Sequence, residues 1–267
     1  MKNITYIAGV ARSGTSWLGQ IFDSAVNVNF RFQPLFSYEF KNKVNEDSSA
    51  LEFEQLLVEM HDTATPFLTQ EDKRSSGQYP NFPKNKVRDH LVFKENRYQN
   101  IIEPMMRKVP TMKLVAIIRN PNAALSSWMK NQKEFPAGST PKDEWRYGDC
   151  KNQGHEDFFG YYKWKEVANM YLDLADKWPD RVYLIKYEDL VNAPLLMTEE
   201  MFSFCDISMD KQTSDFLSLS TKSHDNSPYS VFKSKQVIDN WKSDFDPYIT
   251  QEIFQDLQGT RLEKFIK

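Results

Sequence analysis

Residues 4–24, "ITYIAGVARSGTSWLGQIFDS", set an apolar strand, a turn of small residues and an amphipathic helix in direct succession. A helix that starts just beyond a strand presents backbone N–H groups with no partner inside the helix. Together they carry roughly half a positive charge, so an anion is favoured there. Gly14 permits close approach, Ser13, Thr15 and Ser16 add hydroxyl donors, and Arg12 adds a full charge with a forked donor geometry. The GxxxxGK[ST] pattern of nucleoside triphosphatases is absent, so the cation of this loop is an arginine. An ordinary capped helix after a strand would carry the same pattern without holding anything.

A second segment, "KLVAIIRNPNAALSSWMK" at 113–130, repeats the layout. The strand ends at Arg119, Asn120 suits the cap and Pro121 the first helical position. Ser127 lies about two helical turns on, near the face from which Arg119 emerges. Such a pair could clamp a separate phosphate, although an arginine in a surface ion pair and a serine on a solvated face would look the same.

These residues need a scaffold that brings them to one edge. Strand-like runs occur at 4–9, 91–95, 113–119 and 181–187, short and apolar as in a buried parallel sheet. Helical patterns separate them at 15–25, 51–62, 97–108, 121–131, 158–178 and 195–205. The alternation predicts one α/β domain over 1–267, three layers deep, with a mostly parallel central sheet flanked by helices. Ligands of such sheets gather beyond the carboxyl ends of the strands. Residues 132–157 are long, polar and punctuated by Pro and Gly, which predicts a loop or lid over a site. Residues 219–235 read as a second loop, opening a closing segment that runs to 267.

Composition narrows the partners. The length, 267 residues, suffices for a sizeable core, and 40% hydrophobic with 27% charged residues is ordinary for a globular chain. A net charge of −3 gives no overall basic field for nucleic acid, so any anion site is built locally. Apolar runs are strand-sized, which predicts no membrane span. The first strand lies within a few residues of Met1, leaving no room for a secretory signal. Cys150 and Cys205 form no metal or disulfide spacing. A reducing cytoplasm fits these features. No heptad or apolar face announces an oligomer.

"RSGTSWL" followed about a hundred residues later by "RNPNAALSS" resembles the sulfotransferase family. The segment "LIKYEDLVNAP" (184–194) and the tail "VIDNWKSDFDPYITQEIFQDL" also resemble it, so the likeness runs over nearly the whole chain. The resemblance implies 3′-phosphoadenosine 5′-phosphosulfate (PAPS) as sulfuryl donor, its desulfated form PAP as product, and no metal. Arg12 and the 13–16 loop would grip the 5′-phosphosulfate, and Arg119 with Ser127 the 3′-phosphate. Tyr187 and Trp17 would approach the adenine, although Trp17 on an amphipathic helix also suits a core. Cytosolic members usually carry lysine where Arg12 stands, whereas carbohydrate sulfotransferases often carry arginine. The family's Arg-Lys-Gly near the 3′-phosphate is missing; "VFKSKQ" offers Lys233 and Lys235 as point charges in its place, or as solvated surface lysines.

Sulfuryl transfer needs a base for the acceptor hydroxyl. Cytosolic members have Lys-x-His after a central strand, whereas "HLVFKENRY" (90–98) keeps Lys94 but follows it with Glu95 and Asn96. A buried carboxylate can serve, which makes Glu95 the first expectation. His61, His90, His155 and His224 compete, His90 from the wrong end of its strand. "NFRFQPLFSYEF" (29–40) resembles a segment that many carbohydrate sulfotransferases write with "EPL"; Gln33 replaces the glutamate and can only hydrogen bond. Gln33, Phe36 and Lys94 would face the acceptor, a carbohydrate or other small molecule. Two other readings stay open: a non-catalytic nucleotide-binding protein of the same fold, favoured by the absent histidine, and a P-loop kinase, disfavoured by the missing lysine.

Overall fold

The computed structural model describes residues 3–222, 231 and 239–266. Five strands form one sheet: β1 (Asn3–Ala8), β2 (Val28–Phe32), β3 (His90–Glu95), β4 (Met112–Ile118) and β5 (Val182–Lys186), in the spatial order β2-β3-β1-β4-β5. Every pairing is parallel. The predicted α/β class is therefore correct, and the sheet is wholly parallel among the described residues. The four expected strands are present with ends shifted by a residue or two.

The register aligns the carboxyl ends. Ala8 sits beside Glu95 and Ala116, Phe32 beside Lys94, and Ile118 beside Lys186. The next residues along each strand, Gly9, Gln33, Asn96, Arg119 and Tyr187, consequently emerge at one edge. The chain leaves β1 for β2 on one side and reaches β4 on the other, so the switch point of the topology lies at the end of β1.

Side chains alternate across the sheet. Tyr6, Ala8, Leu91, Phe93, Leu114 and Ala116 pack on one face. Ile7, Val92, Val115 and Ile117 pack on the other, against Leu18, Ile21 and Phe22 of the helix Thr15–Ser24. Lys94 thus shares the face of the helix Thr15–Ser24, and Glu95 takes the opposite one.

β2 was not expected. Its sequence, "VNFRF", alternates apolar residues with Asn29 and Arg31, whose polar groups need partners if the strand is buried. Here Arg31 is 6% exposed, and its guanidinium donates to the carbonyls of Phe30, Met60, His61 and Thr63 at 2.7–2.9 Å. That tie anchors the end of the helix Ala50–Asp62 to the sheet edge. A second correction concerns 219–235: its first four residues continue the helix Lys211–Lys222, while 223–230 and 232–238 lie outside the described residues.

Candidate active site

The loop after β1 turns sharply. Arg12 and Gly14 both have left-handed backbone, φ 70 and φ 90. Any Cβ at Gly14 would lie 2.5 Å from ring atoms of Tyr187, so glycine is required both for the φ and for the packed ring. Tyr187 opens the short helix after β5, which brings its ring across the sheet edge to the loop. The guanidinium of Arg119 stacks over that ring, 4.6 Å from its centroid. It also donates through Nη1 to the Arg12 carbonyl at 2.9 Å, while Trp164 Nε1 donates to the Arg119 carbonyl at 3.0 Å. Arg119 is only 8% exposed and is held in place from both sides.

Ser127 lies where the two-turn spacing from Arg119 suggested, with Arg12 Nε donating to its Oγ at 3.1 Å. The loop after β1 and the helix after β4 are therefore joined directly by Arg12 and Ser127. One cavity receives Arg12, Gly14, Thr15, Ser16, Trp17, Lys94, Arg119, Ser127 and Tyr187 on its walls. Trp17 is half-buried against the core, and its Nε1 donates to Ser220 Oγ at 3.1 Å. Ser13 is the exception in the loop: its N–H donates to the Val10 carbonyl and its side chain is buried away from the cavity.

Beside the Arg119–Ser127 pair the surface continues to Lys130, Asn131, Asn240 and Trp241. Lys130 is outside the residues that the motifs single out, although its spacing of three from Ser127 places it on an adjoining face. Lys233, Lys235 and His224 lie outside the described residues.

On the acceptor side, Gln33 and Asn96 meet, the Gln33 amide donating to Asn96 Oδ1. Both line the cavity with Phe32 and Glu134. Lys94 is 1% exposed, and its ammonium sits 4.5 Å from the centroid of the Phe32 ring. Burial lowers its pKa from the ordinary lysine range.

Glu95 corrects the expectation of a base at that position. It is fully buried, lines neither this cavity nor its neighbour, and its Oε1 accepts from the Leu35 N–H at 2.6 Å. The period-2 alternation of β3 turns it to the face of Tyr6 and Phe93. Its work is to brace the turn that carries Gln33 and Phe36. Burial raises its pKa, against the opposing pull of the Leu35 N–H and of Lys94.

A carboxyl group whose folded pKa is raised stabilises the fold below its unfolded pKa and loses that contribution as pH rises through the folded value. Glu95→Gln keeps the acceptor for Leu35 N–H and removes the titration. Its Tm relative to the parent should therefore climb between pH 5 and pH 8, by at least ~3 °C, the shift that about 1 kcal/mol produces in a domain of this size. Thermal melts across that range check this; a constant difference would sink it.

None of the described histidines lines the cavities. His90 stands at the amino end of β3 with Nε2 2.9 Å from Thr5 Oγ1, and burial lowers its pKa to about 4. His61 bonds Asp62 and the Arg88 carbonyl, and His155 is exposed beside Glu156. Among the described residues, the carboxylate that lines both cavities is Glu134, half-buried where they meet. It comes from the 132–157 region, which carries the short helix Pro141–Glu144. The signal for it was the only one available, an acidic residue in a segment expected to cover the site. Among the described residues no group of three or more His, Cys, Asp or Glu is arranged for a metal, and no helix is long and apolar enough to cross a membrane.

Two arginines, a helix N-terminus and flanking aromatic rings thus meet at the carboxyl edge of a parallel sheet, an arrangement whose chemistry suits an anion. The chain belongs to the sulfotransferase domain family, whose profile matches residues 3–265. Solved structures agree with the fold. Mouse sulfotransferase SULT7A1 complexed with PAP matches at a TM-score of 0.57 and 13% identity, over 100% of this chain and 88% of that one. The sulfotransferase domain from the curacin biosynthetic pathway matches at 0.55 and 16%, over 96% and 98%. Retinol dehydratase in complex with androsterone and inactive cofactor PAP matches at 0.56 and 14%, over 97% and 82%. No curated protein sequence matches the chain.

Proposed function

We propose that this sulfotransferase moves a sulfuryl group from PAPS to a hydroxyl of a carbohydrate or another small acceptor. The observation that carries this reading is the convergence of Arg12, Arg119 and Ser127 with the Gly14 loop and the Tyr187 ring on one cavity. The donor set suits the group: cations in two places for two separated phosphates, and ring faces from Trp17 and Tyr187 for an adenine.

When bound, PAPS supplies an activated sulfur whose bond to the bridging phosphate oxygen breaks as the acceptor oxygen adds. The Gly14–Thr15–Ser16 backbone and hydroxyls hold the 5′ end at the helix N-terminus. Arg12 and Lys94 neutralise the charge that grows on the departing oxygen, an interaction stronger in the transition state than before it. Arg119, Ser127 and Lys130 grip the 3′-phosphate. Gln33 and Asn96 orient the acceptor hydroxyl, and Glu134 takes its proton.

Isothermal titration of the purified, chelator-treated chain with PAP, beside ATP with Mg²⁺, tests the donor assignment. Micromolar or tighter PAP binding is expected, with Mg-ATP at least about tenfold weaker, a difference of ~1.4 kcal/mol. Mg-ATP binding without PAP binding would end this reading and restore the kinase. PAP binding with no turnover of any hydroxyl acceptor would leave a non-catalytic binding protein.

A further inference from the structure

A second cavity opens from the first through a shared wall of Phe32, Gln33, Asn96 and Glu134. Its outer wall is basic: Lys73, Arg97, Lys133 and Lys151 stand there against the single carboxylate of Glu134 among the described lining residues. The charge of Arg97 is met by the buried Asp157, and its guanidinium lies 4.7 Å from the Phe36 ring centroid. Three lysines share this wall with it, in a chain whose net charge is −3. The gathering of basic residues is local, so it belongs to this cavity and not to the general surface.

Lys73 is the best placed of the three. It is half-buried, its ammonium lies 5.1 Å from the centroid of Phe32 and 4.6 Å from that of Tyr79, and it donates to Tyr79 Oη at 3.2 Å. Burial first, and the like charge of Lys133 second, lower its pKa. Lys151 is half-buried as well and Lys133 is exposed; a half-buried cation attracts an anion more strongly than a fully solvated one does. Phe32, Phe36 and Phe159 add apolar wall for the body of a ligand.

We propose that the acceptor is itself anionic, a hydroxyl compound bearing a phosphate, sulfate or carboxylate that Lys73, Lys133 and Lys151 hold while the hydroxyl faces Glu134. This rests on the sulfotransferase reading of the first cavity and adds the class of acceptor to it. The lysines bind and orient; the transferred sulfuryl group and the proton move as in the reaction above.

The test is a titration of the full chain saturated with PAP, so that the donor site is filled. Inorganic phosphate, sulfate and D-glucuronate are added in separate experiments, which distinguishes the three oxyanions, with D-glucose as the neutral control. Millimolar or tighter binding of at least one oxyanion is expected, with none of glucose. The double variant Lys73→Met/Lys133→Met should lose about tenfold or more of that affinity, the scale of a charge-assisted contact, while binding PAP as the parent does. Absence of oxyanion binding, or binding that the double variant leaves unchanged, overturns the proposal and leaves the donor assignment standing. Failure of PAP itself to bind overturns the donor assignment and this proposal with it.

Discussion

Glu134→Gln is expected to lower kcat by ~10²- to 10³-fold, within the range that a positioned general base contributes, with the Kd for PAP unchanged. The substitution keeps size and hydrogen-bonding reach and removes only the ability to accept a proton. Glu134 borders both cavities, so it stands between the donor cradle and the space for the acceptor. The position that carries histidine in cytosolic relatives is Asn96 here, an amide already engaged by Gln33, and neither can take a proton. Single-turnover rates with saturating PAPS, beside titration with PAP, separate the two quantities. Full activity in Glu134→Gln would remove the assignment. Loss of turnover in Glu95→Gln with PAP binding intact would return the base to β3, and would require Glu95 to leave the Leu35 N–H it now accepts from.

Arg119→Ala is expected to weaken PAP binding by ~30-fold or more, the factor that corresponds to about 2 kcal/mol and the lower end of the cost of truncating a buried, hydrogen-bonded charge. Two losses combine. The proposed 3′-phosphate loses its forked cation, and the loop loses the bond from Nη1 to the Arg12 carbonyl that ties its left-handed turn to β4. Arg119→Lys should recover only part of the affinity, because a lysine neither stacks flat on Tyr187 nor donates in two directions at once. Titration of both variants with PAP, with thermal melts to verify folding, decides it. Unchanged affinity in a folded Arg119→Ala protein would move the 3′-phosphate to other cations, Lys130 first among them.

Much of the donor site was legible in the sequence because its determinants are local. A strand followed by a glycine turn and a helix creates its anion site from its own backbone. An arginine at a strand end with a serine eight positions on defines a second grip within one segment. The parallel sheet then had one physical way to bring the two together, at the carboxyl ends of neighbouring strands. Gly14, Arg12, Arg119, Ser127 and Tyr187 consequently line one cavity.

The acceptor side was less legible, for three identifiable reasons. β2 has no signal of its own, because the burial of Arg31 depends on carbonyls some thirty residues away that only the folded chain supplies. Lys94 and Glu95 are neighbours in sequence but lie on opposite faces of β3, so which one sees the cavity depended on the face that the helix Thr15–Ser24 covers. The alternation of Val92 and Phe93 held half of that answer, and the position of the helix held the rest. Glu134, Lys133 and Lys151 come from an irregular segment, where no periodicity constrains direction.

By itself, then, the sequence determined the class of fold, four of its five described strands and the residue types of the loop after β1, since each depends on near neighbours in the chain. The tertiary structure alone decided which carboxylate reaches the site, that Gln33 and Asn96 pair, and that three lysines gather beside them. Those are contacts between segments far apart in the chain, set by how the segments pack on the sheet and not by anything within any one of them.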